Sequence, residues 1–229
     1  MAKIEDTKNK KKKENKNNSY MRVFGDKQLG KLITDIHSTT IVNGIELQKI
    51  IFNKARNRIE NLDNFLSQSF TKDVFVASKD EIKGSSIESK RRNLITGKEE
   101  KIEIDLLIFK NDKCYIIELK DGDNFDTKKA SIERDRLIEY LQYIGHKINY
   151  KTSIHFCCFN QDSKKSIVQG FKNKIKEEEA MTGKDLCKLL ELDYQEIVNE
   201  RKNSQKENRE YFFNEVFKIE WLREKFPKK

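Results

Sequence analysis

Three residues stand at a spacing that suits chemistry on a phosphate group: Asp105, Glu118 and Lys120. They belong to residues 103–120, EIDLLIFKNDKCYIIELK, which read as two strand-like runs around a short polar break. Carboxylate oxygens suit Mg²⁺, which usually takes one or two protein carboxylates together with a substrate phosphate. A lysine beside such a cation could orient or deprotonate an attacking water, or neutralise the charge that builds on the phosphorus oxygens.

A two-residue hairpin loop would bring the two acids together. Asn111 and Asp112 favour such a loop, and the resulting register sets Asp105 opposite Glu118, with Lys120 on the same strand face as Glu118. Directly paired residues have Cβ atoms about 4.5–5.5 Å apart, and like charges at that distance destabilise a sheet. The pair therefore needs a positive charge, which Lys120 or a divalent cation would supply.

An ordinary surface pair is the alternative interpretation. A strand that ends in Glu-Leu-Lys is common, and an exposed ion pair contributes less than about 1 kcal/mol. The matching position of Asp105, the predominantly apolar strand at residues 115–119 and the acid-rich turn that follows favour the metal site instead.

Asp105, followed after twelve residues by Glu118, Leu119 and Lys120, resembles the signature of the PD-(D/E)xK nuclease superfamily, particularly of type II restriction endonucleases. Ile104 stands where the name of the motif has proline. The resemblance implies that Asp105 and Glu118 bind Mg²⁺ and that the backbone carbonyl of Leu119 adds a ligand. It also implies that Lys120 assists the nucleophilic water.

The resemblance is strongest over residues 103–130 and weaker, at the level of element order, over residues 40–160. Many members of the superfamily add an acid from a helix that precedes the hairpin. Glu46 is the best candidate for that third acid, with Glu60 as the second choice.

The surrounding elements predict an α/β fold, with a mixed β-sheet flanked by helices and a helical C-terminal part. Residues 44–66 read as one long helix and residues 74–77 as a short strand. After the hairpin, a helix that ends at Gly145 leads to a buried strand at residues 153–159. Strand, helix and strand imply a right-handed parallel crossover, which extends the sheet of the hairpin.

Composition and charge suggest one globular domain with appendages. Residues 1–19 hold seven lysines against three acids and read as a disordered Lys-rich tail; residues 20–165 would form the nuclease core, and residues 166–229 a helical C-terminal subdomain packed on it. The tail would give salt-sensitive attraction to DNA. The formal net charge of +9 permits a DNA partner without requiring one.

Four basic residues are candidates for contacts with DNA phosphates: Lys128, Lys129, Arg91 and Arg92. Both lysines follow the hairpin at the start of the next helix, where they could equally be solvated. Both arginines end a basic, Ser-rich passage at residues 83–92, which reads as well as an ordinary connecting loop.

The C-terminal third contains two capping signals for helix N-termini. Thr182 precedes Asp185 by three residues, and Asp193 precedes Glu196 by three, so two short helices should begin there. This pair resembles a helix-turn-helix, although plain helical packing is the commoner explanation. A last, aromatic helix is predicted around residues 211–222.

Several other classes are not supported by the sequence. No apolar run approaches a membrane span and no signal peptide is visible, which predicts a cytoplasmic protein without membrane contact. The acid-rich turn fails the EF-hand pattern, and the three histidines show no HNH or HExxH spacing. The cysteines lack a CxxC spacing and read as core thiols: Cys114, Cys157, Cys158 and Cys187.

These observations favour a Mg²⁺-dependent type II restriction endonuclease that acts on double-stranded DNA. A symmetric recognition site would favour a two-fold homodimer, although some such enzymes act as monomers. Two alternatives remain at this point. One is a repair or junction-resolving nuclease with the same metal site, and the other is a non-catalytic helix-turn-helix DNA-binding protein.

Overall fold

The computed structural model describes residues 1–7, 19–68, 70–92, 97, 99–122 and 127–225. Contacts divide the chain into two compact units, one of Met1–Leu47 with Gln195–Lys229 and one of Gln48–Tyr194. We call them the helical unit and the sheet unit. Their limits differ from the predicted boundaries at residues 19 and 165.

The strands form a six-stranded sheet and a two-stranded ribbon. In chain order they are β1 (Asn57–Arg58), β2 (Thr71–Ser78), β3 (Lys90–Arg92), β4 (Glu99–Lys101), β5 (Leu106–Asn111), β6 (Lys113–Lys120), β7 (Lys151–Cys158) and β8 (Ala180–Thr182). The large sheet has the order β1-β2-β5-β6-β7-β8, and β3 pairs with β4. Strand β5 is antiparallel to both neighbours, whereas β6, β7 and β8 run parallel. The predicted mixed sheet is therefore confirmed.

Ten helices are described in these parts of the chain. They are α1 (Ile4–Thr7), α2 (Ser19–Phe24), α3 (Lys27–Lys54), α4 (Leu62–Leu66), α5 (Lys79–Ile82), α6 (Thr127–Gly145), α7 (Lys164–Gly170), α8 (Gly183–Leu190), α9 (Tyr194–Phe217) and α10 (Glu220–Lys225). A short 3₁₀ turn precedes β8. Among the described residues, no helix is long and apolar enough to cross a bilayer.

The β5–β6 hairpin has the predicted register. Lys110 pairs with Lys113 and Leu106 with Ile117, across a loop in which Asn111 adopts a left-handed conformation with φ 54°. Asparagine tolerates this conformation better than most residues. The register is fixed by burial, because a slip of one residue would turn the apolar side chains of both strands to the wrong face.

Helix α6 confirms the predicted crossover between β6 and β7. Its apolar stripe is fully buried at Leu137, Tyr140 and Ile144, and the helix ends at Gly145 as the sequence indicated. The stripe joins a core made with both hairpin strands. The four cysteines are free and buried within the described residues, as expected for core thiols.

The prediction of one helix over residues 44–66 is wrong. Helix α3 starts earlier and ends at Lys54, after which β1 pairs parallel with β2 and α4 begins behind an Asn61 cap. The apolar residues of that segment are nevertheless buried, including Leu47, Ile51 and Ile59. The spacing of these apolar residues is compatible with one continuous helix and also with a helix, a short strand and a second helix. Periodicity alone therefore does not distinguish the two arrangements.

The predicted C-terminal helices are confirmed in part. Helix α8 starts with the expected capping box, in which the backbone N–H groups of Thr182 and Asp185 each donate to the other's side chain at 3.1 Å. The second helix is not short, because α9 continues for 24 residues to Phe217. It contains neither glycine nor proline, so nothing in its sequence ends it earlier.

Part of the predicted tail is ordered in the structure. Residues of α1 are helical, the backbone N–H of Ala2 donates to Asn43 Oδ1 at 2.8 Å, and Asn208 Nδ2 donates to the Ala2 carbonyl at 2.9 Å. Residues 8–18, which hold most of the tail's lysines, lie outside the described residues.

Candidate active site

Asp105 lies directly before β5 and beside the end of β6. Its Oδ2 accepts a hydrogen bond of 2.7 Å from the backbone N–H of Leu119. Burial, followed by repulsion from the Glu118 carboxylate, raises the pKa of Asp105 to about 7, although Lys120 and Arg136 partly oppose this. Asp105 is therefore a half-buried acid whose full ionisation an additional positive charge would favour.

Glu118 occupies the interior of β6 and is only 4% exposed. Its Oε1 is 2.8 Å from Lys120 Nζ, and its Oε2 is 2.8 Å from Arg136 Nη2. A carboxylate with two cationic partners and almost no solvent contact is not a solvated surface pair. The interpretation of Glu118 and Lys120 as an ordinary exposed surface pair is therefore wrong.

Lys120 ends β6, and its ammonium group lies between two carboxylates. Nζ is 2.8 Å from Glu118 Oε1 and 2.9 Å from Glu133 Oε1. Burial by itself lowers the pKa of Lys120, but attraction to the two carboxylates outweighs burial, and the pKa is raised. In this arrangement Lys120 keeps its proton at neutral pH.

Two residues of the site were missed by the sequence reasoning: Glu133 and Arg136, both on α6. Glu133 is 8% exposed and contacts Lys120, whereas Arg136 pairs with Glu118. A signal for Glu133 existed, because it stands four residues before Leu137 and so lies on the apolar stripe of the helix. An acid on the buried face of a helix requires a partner.

The two candidates for a third acid, Glu46 and Glu60, belong neither to the hairpin nor to α6. Glu46 is on α3 in the helical unit, where its Oε2 is 3.2 Å from the amino group of Met1. Glu60 is exposed in the bend between β1 and α4, so its predicted helical position is wrong. A metal-binding role for Glu46 stays a prediction.

The predicted DNA contacts fall on two different elements. Lys128 and Lys129 are exposed in the first turn of α6, which directly follows the hairpin. Arg91 is on β3, half-buried, with Nη2 3.9 Å from Glu100 Oε2. Arg92 ends β3, and its side chain lies outside the described part of the structure. Contacts with DNA stay predictions for all four.

The donor set at the hairpin fits a hard divalent cation. Asp105 and Glu118 offer carboxylate oxygens, and the repulsion between them is of the kind that such a cation relieves. The described residues contain no group of three or more His, Cys, Asp or Glu side chains arranged for a metal. Mg²⁺ does not need one, because it keeps several waters and takes one or two carboxylates.

Comparison with known proteins gives one strong similarity. The chain is 38% identical over 220 residues to the type II restriction enzyme HhaII of Haemophilus parahaemolyticus, and the alignment covers 93% of each protein. It therefore extends over both the helical unit and the sheet unit. No protein-family model and no solved structure matches the chain.

Proposed function

Because this chain belongs to the type II restriction enzymes, we propose that it is a Mg²⁺-dependent endonuclease that cuts double-stranded DNA at a specific sequence. Its active site would be formed by Asp105, Glu118 and Lys120. The observation that carries the assignment is that these three charges lie together at the end of one hairpin, with Glu118 buried and Lys120 largely shielded from solvent. The same three residues support membership of the PD-(D/E)xK superfamily.

The metal ligands would be the carboxylates of Asp105 and Glu118 and the backbone carbonyl of Leu119. Asp105 and Leu119 are already joined by a hydrogen bond of 2.7 Å, which orients the Asp105 carboxylate at the β6 backbone. Mg²⁺ held at this position would supply Lewis-acid activation of the phosphate and of the attacking water. Arg136 balances the charge of Glu118 in the metal-free protein.

Lys120 would act through its charge. Its raised pKa favours a protonated ammonium group, which can donate hydrogen bonds to a phosphoryl oxygen and to the attacking water. Of the roles suggested by the sequence, orientation of the water and neutralisation of developing charge therefore fit the structure better than deprotonation of the water.

Binding to DNA would use basic residues of α6 and of β3. We assign phosphate contacts to Lys128 and Lys129 on α6 and to Arg91 and Arg92 on β3. Two-fold dimerisation would place two active sites on the two strands of a symmetric recognition sequence. The enzyme would work in the cytoplasm.

The alternatives make different predictions for the substrate. A repair or junction-resolving nuclease would share the metal site but would prefer branched or damaged DNA, so it would not cut a plain plasmid into discrete fragments. A non-catalytic DNA-binding protein is no longer supported, because the chain belongs to a family of enzymes.

The test is digestion of a mapped genome with purified protein and Mg²⁺, followed by sequencing of the fragment ends. We expect discrete ends that share one short sequence, and no cleavage in EDTA. Lys120→Ala should bind the same sequence in Ca²⁺ but cut it about 10²- to 10³-fold more slowly, since it removes a donor to the developing charge.

A matched control is Glu139→Gln, which changes an exposed acid on α6 and should cut like the wild type. The proposal would be overturned if Lys120→Ala cut at the wild-type rate, or if the ends shared no sequence.

A further inference from the structure

We propose that Glu133 is a positioning residue, which holds the ammonium group of Lys120 in place for DNA cleavage. This inference rests on the proposed function of the hairpin site. It adds to the site an acid on α6, the helix that follows the hairpin. This acid differs in position and in role from the third metal-binding acid that the family resemblance implied on a preceding helix.

The first step of the argument is the geometry around Lys120. Its Nζ lies 2.8 Å from Glu118 Oε1 and 2.9 Å from Glu133 Oε1, so the two carboxylates hold it about equally closely. All three side chains are shielded from solvent, with exposed fractions of 17% for Lys120, 6% for Glu118 and 10% for Glu133. Ion pairs screened from water in this way are sensitive to the removal of one partner.

The second step is that Lys120 and a bound cation would compete for the carboxylate of Glu118. A cation at the hairpin would engage the same carboxylate that now accepts from Lys120. Lysine has a flexible four-carbon stem and a compact charge, so a lysine with one weakened partner samples several positions. Glu133 belongs to a different element and is not among the proposed metal ligands. It can hold Lys120 while Glu118 turns to the cation.

The third step is that the described residues give Glu133 no side-chain hydrogen bond or ion pair other than the one with Lys120. It stands on the buried face of α6, four residues before the fully buried Leu137. Its Oε2 is buried and has no hydrogen-bond partner among the described residues, while Oε1 accepts from Lys120. Arg136, one turn further along α6, pairs with Glu118 instead. The burial of Glu133 is therefore compensated mainly through Lys120.

The kinetic test compares single-turnover cleavage by wild type, Glu133→Ala and Glu133→Gln. Misplacement of a reacting group by about 1 Å can cost about 10²-fold, so we expect Glu133→Ala to be slower by up to that factor. Glu133→Gln keeps an oxygen that accepts from Lys120 and should lose less. DNA affinity in Ca²⁺ should not change in either variant. Glu139→Ala, an exposed position on the same helix, should cut like the wild type.

The double variant separates positioning from a general structural role. If Glu133 acts through Lys120, its removal from a Lys120→Ala protein should cause no further loss of cleavage rate. An equal loss in both backgrounds would overturn the proposal, because Glu133 would then act independently of Lys120. Wild-type cleavage by Glu133→Ala would overturn it as well.

A second readout needs neither metal nor activity. In metal-free thermal unfolding, Lys120→Ala should lower the melting temperature, because it leaves Glu133 buried without its cation, whereas Glu118 keeps Arg136. Adding Glu133→Ala to that variant should raise the melting temperature again. A further decrease would contradict the pairing.

The outcomes also distinguish this inference from the proposed function. If Lys120→Ala cuts slowly and Glu133→Ala cuts normally, only the role of Glu133 is wrong. If Lys120→Ala itself cuts like the wild type, the proposed active site is wrong and the role of Glu133 fails with it.

Discussion

At the scale of single residues, the site is a set of charges that are buried or largely shielded from solvent and that alternate in sign. Glu133, Lys120, Glu118 and Arg136 follow one another through ion pairs of 2.8–2.9 Å, and Asp105, which accepts a hydrogen bond from the backbone N–H of Leu119, adds a further acid. Buried charges are costly unless paired, and here the pairing leaves the hairpin short of one positive charge at Asp105. This is where a cation would have the largest effect.

The raised pKa of Asp105 predicts a pH-dependent stability of the metal-free protein. A carboxyl whose pKa rises from 3.8 in the unfolded chain to about 7 in the fold stabilises the protein when protonated, and this contribution is lost as the pH rises through 7. Acidification from pH 8 to pH 6 should therefore stabilise the wild type by roughly 1 kcal/mol more than Asp105→Asn, as measured by urea unfolding in EDTA.

Comparison with Asp105→Asn removes the contributions of the other titrating groups, which the two proteins share. Equal pH dependence of the two proteins would mean that Asp105 is already ionised well below pH 6. Addition of Mg²⁺ at pH 8 should stabilise the wild type and have little effect on the variant.

The three hairpin residues were predictable from the sequence, because their types, their spacing and the turn between them define the register. Glu133 and Arg136 were not, although they hold Lys120 and Glu118. Their contribution depends on how α6 is rotated against the sheet, and that rotation is decided by packing of the whole apolar stripe. The sequence gives one local sign of this rotation, which is the acid Glu133 on the apolar stripe.

At the scale of elements, the hairpin and the crossover helix were predictable and the segment at residues 44–66 was not. The hairpin combines a turn signal with two apolar strands. The order of strand, helix and strand that follows favours a single type of connection, the right-handed parallel crossover. The segment at residues 44–66 gave only apolar spacing. Pairing of β1 with β2 depends on residues far away in sequence, so local spacing does not reveal it.

Two glycines should respond oppositely to alanine because of their surroundings. At Gly183, the first residue of α8, an added Cβ would lie 2.3 Å from the Phe159 carbonyl oxygen and 2.9 Å from Tyr194 Cε2. Gly183→Ala should therefore destabilise the protein by about 1–3 kcal/mol. At Gly44, within α3, no described atom lies within 4 Å of the added Cβ.

Gly44→Ala should accordingly stabilise the protein by about 0.5–1 kcal/mol, since alanine is the better helix former. Both values can be measured by denaturant unfolding of the full chain. A neutral Gly183→Ala would show that Phe159, directly after β7, does not approach the start of α8 as closely as the structure indicates.

At the scale of the whole molecule, charge is distributed unevenly along the chain. Seven of its lysines fall within residues 1–19, and the formal net charge of the chain is +9. Attraction of such a segment to DNA comes from release of counterions and does not depend on sequence. The tail should therefore contribute to general DNA affinity rather than to recognition of the site.

Replacement of the four consecutive lysines at residues 10–13 by glutamine tests this distribution. If each contacts a phosphate, the slope of log affinity against log salt should become shallower by up to about 3–4, and affinity should fall mainly at low salt. Fluorescence anisotropy with a non-cognate duplex measures both quantities. The cleavage sites should not change, and altered sites would contradict a purely electrostatic role.

The location of the catalytic metal is the most direct test of the account. Crystals of the full chain soaked in Mn²⁺ should show an anomalous peak bonded to the carboxylates of Asp105 and Glu118 and to the carbonyl of Leu119, with Lys120 beside it. A peak at another position only, or none at a Mn²⁺ concentration that supports cleavage, would contradict the central claim.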